Sequence, residues 1–293
     1  MKTASAPRTR RRPAPLPDRP IWLDGRLVPA GEATLSLFDR GARDGEGLFE
    51  TLRIYAGRPF LWERHLERLV VSAGELGFPV PPGPAELRAA LEQLLDACAL
   101  RDAAARITVT RGVPGGRPGR CGAWLEAEPI EGRLWHGTRR GAARAVISTV
   151  PFEPGPIGCH KTTSRLAYHL AREEARQARA DEALLAAADG ELLEGAVSNL
   201  FVVRDGRLAT PPLRRGILPG ITRAWVFRAA PRLGMSVEEA RLTRASVLDA
   251  AESFLTNSLQ EIVPLAELDG RPLARGNAAA GLLAAYREAA AAT

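Results

Sequence analysis

Alternating apolar and polar positions begin at about residue 21. Ile21-Trp22-Leu23 and Leu27-Val28 flank Asp24-Gly25, and a pair of residues that tolerates positive φ between two extended stretches predicts a hairpin with a type I′ turn. A β-rich run at 48–55 turns at Ala56-Gly57-Arg58 and starts back over 59–62. The period then becomes helical: over 63–76, Leu66, Leu69, Val70 and Ala73 share one face, and Gly77 ends the helix.

A second helix is expected over 84–99, followed by strands at 105–110 and 122–128. The loop between those strands, 111–120, is rich in Gly, Arg and Pro, and 132–143 reads as a connector. The pattern then predicts a strand at 144–150, a helix at 166–179 and an extended run at 183–187. Asp189-Gly190 and Asp205-Gly206 mark two hairpin turns. A helix at 220–233, a strand at 236–241, a short helix at 244–250 and strands at 253–256 and 261–265 complete the reading. Strands and helices mixed in this order predict two α+β domains, 21–140 and 141–293, behind a tail at 1–20. No internal repeat and no GxGxxG fingerprint occurs, which removes the usual dinucleotide signal.

Charge changes this picture little. The net charge is +6, but Lys2, Arg8, Arg10, Arg11, Arg12 and Arg19 against Asp18 place +5 of it in the first 20 residues. That segment also holds five prolines and few large apolar side chains, so it is expected to be disordered and is no ground for specific nucleic-acid binding. Cys98, Cys121 and Cys159 are odd in number and widely spaced, which argues against a disulfide framework or a zinc site and for a reducing, cytoplasmic setting. His65, His136, His160 and His169 lack metal-ligand spacing. No apolar run reaches the roughly 20 residues of a membrane span, so a soluble protein is expected.

The division of the basic residues is more informative. Of the 40 lysines and arginines, only Lys2 and Lys161 are lysine. Arginine replaces lysine in most surface roles but stays protonated and cannot act as an amine nucleophile. Lys161, in a loop between a strand and a helix, is thus a candidate for amine chemistry. Glu194 precedes small residues and an apolar strand, where a ring can approach closely. The run Pro219-Gly220-Ile221-Thr222 opens a helix whose free N–H groups suit an anion. Thr256-Asn257-Ser258 at a strand end adds donors, and Arg68 a positive charge. Together these meet the needs of a pyridoxal-phosphate site: an amine, a carboxylate for the ring nitrogen and donors for the phosphate.

The order of these segments resembles the class IV, fold type IV pyridoxal-phosphate family over residues 21–270. The matching stretches are Asp39-Arg40-Gly41, Asp44-Gly45-Glu46-Gly47-Leu48-Phe49-Glu50-Thr51-Leu52-Arg53, His65-Leu66-Glu67-Arg68-Leu69, the Lys161 loop, Glu194 to Phe201, and Thr210 to Arg223. The resemblance implies a two-domain α+β homodimer with the cofactor at the domain interface. It also implies that Lys161 is the Schiff-base lysine, Glu194 the pyridine partner and Arg68, Ile221, Thr222 and Ser258 the phosphate cradle.

Two activities compete within that family. A 4-amino-4-deoxychorismate lyase releases pyruvate and 4-aminobenzoate, a folate precursor; an aminotransferase moves the amino group of a D-amino or branched-chain amino acid to a 2-keto acid. Three features lean to the lyase. Thr51 stands where lyases are similar in carrying a proton-donating threonine and branched-chain aminotransferases have glycine. Leu166, five residues after Lys161, replaces the tyrosine usual in those aminotransferases. Arg111 and Arg117 flank a loop similar to one that meets a substrate carboxylate in lyases. Phe49 and Asn257 join Arg111 and Arg117 on the expected substrate side.

Overall fold

The computed structural model describes residues 19–115 and 121–292. Of the tail expected to be disordered at 1–20, residues 1–18 lie outside the described residues, and Pro20 already belongs to the first strand; Arg117 also lies outside the described residues.

The first half forms β1 (Pro20–Leu23), β2 (Arg26–Pro29), α1 (Arg40–Arg43), β3 (Gly47–Tyr55), β4 (Arg58–Pro59), α2 (Trp62–Glu75), α3 (Pro84–Ala97), β5 (Ala103–Thr110) and β6 (Gly122–Pro129). Its sheet runs β2-β1-β6-β5-β3-β4, with every pair antiparallel. Asp24 and Gly25 both take positive φ (45° and 103°), as the type I′ turn requires. Strand side chains alternate between faces. Leu48, Leu52 and Ile54 of β3 therefore join Leu66, Leu69 and Ala73 of α2 and Leu87, Leu91 and Leu94 of α3 in one core. Val70 does not share this face: it is 48 % exposed, because it sits one residue beyond the buried Leu69 and the stripe is narrower than its apolar content suggested.

Behind a linking helix α4 (His136–Arg140), the second half contains β7 (Ala143–Ile147), α5 (Leu166–Gln177), β8 (Glu182–Ala186), β9 (Leu192–Gly195), β10 (Asn199–Arg204), β11 (Arg207–Thr210), α6 (Ile221–Ala229), β12 (Ser236–Glu239), α7 (Arg244–Leu248), β13 (Glu252–Asn257), β14 (Glu261–Leu268), β15 (Arg271–Pro272) and α8 (Ala278–Ala291). Its sheet runs β12-β11-β10-β13-β14-β7-β8-β9, with β15 beside β14. The pairs β11–β12, β14–β7 and β7–β8 are parallel, and the remaining pairs are antiparallel. The segment read as a connector contains α4, a helix of five residues closed by Gly141 at φ 84°. The sequence reading also passed over α8. Glu252 accepts from the backbone N–H of Ala278 and Ala279 at its first turn, and its Leu282 and Tyr286 pack with Phe60, Phe201 and Phe254 in a core that draws on both halves of the chain.

Candidate active site

The site starts from the alternation of β3. Its even-numbered apolar residues, Leu48, Leu52 and Ile54, pack in the first core; its odd-numbered residues, Phe49, Thr51, Arg53 and Tyr55, point the other way, toward the second half. Arg53 donates to the Leu259 carbonyl and pairs with Glu261 at 3.3 Å, and the Tyr55 hydroxyl donates to Glu261 at 2.7 Å. Between the two sheets lies a cavity of about 430 Å³.

Lys161 reaches that cavity on a segment docked against the edge of β3. Phe49 N–H donates to the Lys161 carbonyl at 2.9 Å and Thr163 N–H to the Gly47 carbonyl at 2.8 Å, a short antiparallel pairing that crosses between the halves. Glycine is needed for this approach. A Cβ on Gly47 would fall 2.6 Å from Thr163 Oγ1, and one on Gly45, already at φ 73°, would fall 2.6 Å from Ser164 Oγ. The Lys161 amine lies 4.7 Å from the centre of the Phe49 ring. Burial, with the neighbouring Arg165 and Arg68 guanidinia, brings its pKa down to about 7, so a large share of it is a neutral nucleophile near neutrality.

Glu194 is the next-to-last residue of β9, buried, with Leu218 N–H donating to Oε2 at 3.2 Å. Its Oε1 has no hydrogen-bond partner among the described residues. Burial raises its pKa to about 8, opposed by that N–H and by Arg165 and Lys161. A buried carboxylate with a vacant acceptor oxygen lacks a donor, and a protonated ring nitrogen is such a donor.

On the same wall, α6 begins at Ile221 with Gly220 as its N-cap and no side-chain cap. A Cβ at Gly220 would meet Asn199 Oδ1, so a larger residue there would have to displace that amide. Thr222 Oγ1 makes no hydrogen bond of good geometry, although the Tyr286 phenol lies close, and Thr256 Oγ1 is also unpartnered among the described residues. Arg68 reaches across from α2 and donates to the Pro219 carbonyl at 2.9 Å. A helix N-terminus, two hydroxyls and a guanidinium converge on one end of the cavity, and Ser258 lines it beside them. Amine, unpartnered carboxylate and anion cradle together fit pyridoxal phosphate.

Of the residues anticipated on the substrate side, Phe49, Thr51 and Asn257 line this cavity. Asn257 is turned to the backbone: it donates to the Val197 carbonyl and accepts from Leu259 and Gln260 N–H. Arg111 is a correction. Its guanidinium closes the end of α2 by donating to the Leu76 and Gly77 carbonyls, pairs with Glu46 at 2.5 Å and stacks on Phe78, away from the cavity. Leu166 is 73 % exposed, while Tyr168, two residues on, lines the cavity.

The sequence reading missed Arg106, Arg165 and Tyr168. Arg106 is the cross-strand neighbour of Thr51, and its guanidinium lies 3.7 Å from the centre of the Phe49 ring. An arginine in the otherwise uncharged run Ala103–Thr110 was the available signal. Arg165 stacks on Tyr168 at 3.7 Å and donates to the Ala196 carbonyl.

The sequence pattern of the family described as amino-transferase class IV matches residues 47–268. The chain belongs to the class IV aminotransferase family. Among its relatives, a Methanocaldococcus jannaschii protein assigned as a branched-chain-amino-acid aminotransferase is 36% identical over 258 residues, covering 86% of this chain and 88% of that one. D-alanine aminotransferase of Bacillus licheniformis is 30% identical, covering 87% and 90%. Aminodeoxychorismate lyase of Bacillus subtilis is 27% identical, covering 85% and 86%. Among solved structures, the PLP-bound form of a hypothetical aminotransferase from Mycobacterium tuberculosis superimposes with a TM-score of 0.83 at 28% identity, over 93% of this chain and 99% of that one. This class IV protein thus has the two-domain fold type IV architecture and uses pyridoxal phosphate. The lyase stands below both aminotransferases in identity, which reverses the order anticipated from Thr51 and Leu166.

Proposed function

We propose that this class IV protein is an aminotransferase that holds pyridoxal phosphate on Lys161 and moves the amino group of a D-amino or branched-chain amino acid to a 2-keto acid. The observation that carries the reading is the convergence, in one cavity, of a low-pKa amine, a buried carboxylate with a vacant oxygen and an anion cradle. The branched-chain and D-alanine aminotransferase relatives are more identical to this chain than the lyase relative, which favours transfer over elimination.

In this reading Arg68, Ile221, Thr222 and Ser258 hold the phosphate, Glu194 holds the ring nitrogen in its protonated form, and Lys161 captures the aldehyde through Nζ. When bound, the cofactor supplies an electron sink for the pair left at the substrate Cα on deprotonation. Lys161 Nζ would take the Cα proton and pass it to the former aldehyde carbon rather than back to Cα, a role suited to an amine that titrates near neutrality. Arg106 and Arg165, beside Phe49, draw the substrate carboxylate into the cavity. The proposal includes domains at 21–140 and 141–293 and a homodimer, supported by the exposure of Leu37 (86 %) and Phe38 (67 %) ahead of α1. It also includes a reducing, cytoplasmic setting, on the strength of the three unpaired cysteines.

One observation favours lyase chemistry as a second reading: Thr51 lines the cavity next to Arg106, where its hydroxyl could deliver a proton to departing pyruvate. The test is keto-acid production by the purified holoprotein. Transfer requires an acceptor keto acid with D-alanine or a branched-chain amino acid as donor. Release of pyruvate and 4-aminobenzoate from aminodeoxychorismate without an acceptor would replace it with the second reading.

A further inference from the structure

Glu50 is the one β3 residue on the core-facing side that carries a charge. Unlike Leu48, Leu52 and Ile54 it is not part of the apolar core. It lies under α2, fully buried, and receives three short hydrogen bonds: Arg68 Nε and Nη2 and His65 Nδ1, each at 2.7 Å. The two arginine bonds form the planar fork that fixes a guanidinium in position and angle. Arg68 spends its remaining arm on the Pro219 carbonyl, directly ahead of α6. On the other side, a carboxylate that accepts from Nδ1 fixes the His65 tautomer, so Nε2 accepts from the Ser258 hydroxyl at 3.3 Å. His65 is itself buried, and its two ring nitrogens are both engaged, one by Glu50 and one by Ser258.

We infer that Glu50 is the positioning residue of the anion cradle: a single carboxylate on β3 sets the placement of Arg68 directly and of Ser258 through His65. It touches neither cofactor nor substrate. Two groups from different halves of the chain reach the same end of the cavity because both are tied to one buried anchor. The inference rests on the reading of the cavity as the cofactor site, and it concerns the phosphate arm of that site alone.

That restriction defines the experiment. Pyridoxal phosphate and pyridoxal share the ring and the aldehyde and differ only in the phosphate, so apoprotein is titrated with each and binding is followed by absorbance. In Glu50→Gln the amide presents N–H groups to the Arg68 and His65 donors. The dissociation constant for pyridoxal phosphate is expected to rise about tenfold or more, with that for pyridoxal changed by no more than about twofold. His65→Gln, which spares the Arg68 fork, should raise the pyridoxal phosphate constant alone by a smaller factor, about threefold; it decides the matter should Glu50→Gln not fold. Equal weakening of both compounds, or unchanged pyridoxal phosphate binding in a folded variant, would overturn the inference. A wild-type apoprotein that takes up neither compound would overturn the cofactor reading itself, and the inference with it.

Discussion

Lys161 was legible from composition, because near-exclusive use of arginine elsewhere left one lysine beyond the basic tail. Its environment was not legible: the lowered pKa comes from burial and from Arg165 and Arg68, which meet it only in the fold. Covalent capture of the cofactor aldehyde should therefore accelerate as pH rises through about 7, where the amine becomes neutral, and level off above it. Stopped-flow absorbance of reconstitution would show this, and a rate still climbing steeply at pH 9 would contradict it. Glu194 was legible as a carboxylate among small residues, but its vacant oxygen is a tertiary fact. Glu194→Gln should retain cofactor while turnover falls about 100-fold or more, since an amide stabilises a protonated ring nitrogen poorly. Glu50 titrates in the opposite sense. Burial would raise its pKa, and Arg68 and His65 more than offset that, bringing it down from 4.5 to about 2. It thus contributes stability that is complete above about pH 4.5 and lost as pH falls toward 2. Urea midpoints of wild type and Glu50→Gln measured from pH 3 to 7 should converge at the acid end.

Among the elements, the hairpins and the helices that start and stop at glycine or proline were readable, because their signals are local: Asp24-Gly25, Gly77, and Pro84 at the start of α3. Arg111 was misread for the complementary reason. A basic residue in a glycine-rich loop gives no sign that its guanidinium turns back to close α2. The alanine-rich stretch of α8 lacks a polar face sharp enough to stand out by periodicity, although its helix propensity was a usable signal. The cross-domain pairing at Gly47 is the element on which the lysine depends. Gly47→Ala should cost about 1–3 kcal/mol in urea unfolding and weaken cofactor binding, because the new methyl meets Thr163. Adding Thr163→Ala should recover part of both; no recovery would mean that the loop is not held by this contact.

For the whole molecule, the two-domain plan and the cofactor were legible through the order of segments, whereas the choice of reaction was not, since Thr51 and Leu166 pointed to elimination and the relatives of higher identity are aminotransferases. The halves are tied at Glu261, which receives Tyr55 and Arg53 from β3 and Arg287 from α8. Glu261→Ala should lower stability by about 3–5 kcal/mol, because Arg53 loses its carboxylate in a largely enclosed site; chemical denaturation of the holoprotein measures it. Every step of the account requires the cofactor to be joined to one side chain between those halves. Reduction of the holoprotein with borohydride, followed by proteolysis and mass spectrometry, should place the phosphopyridoxyl group on the peptide that contains Lys161. Its absence from that peptide, or its presence only at Lys2, would contradict the account.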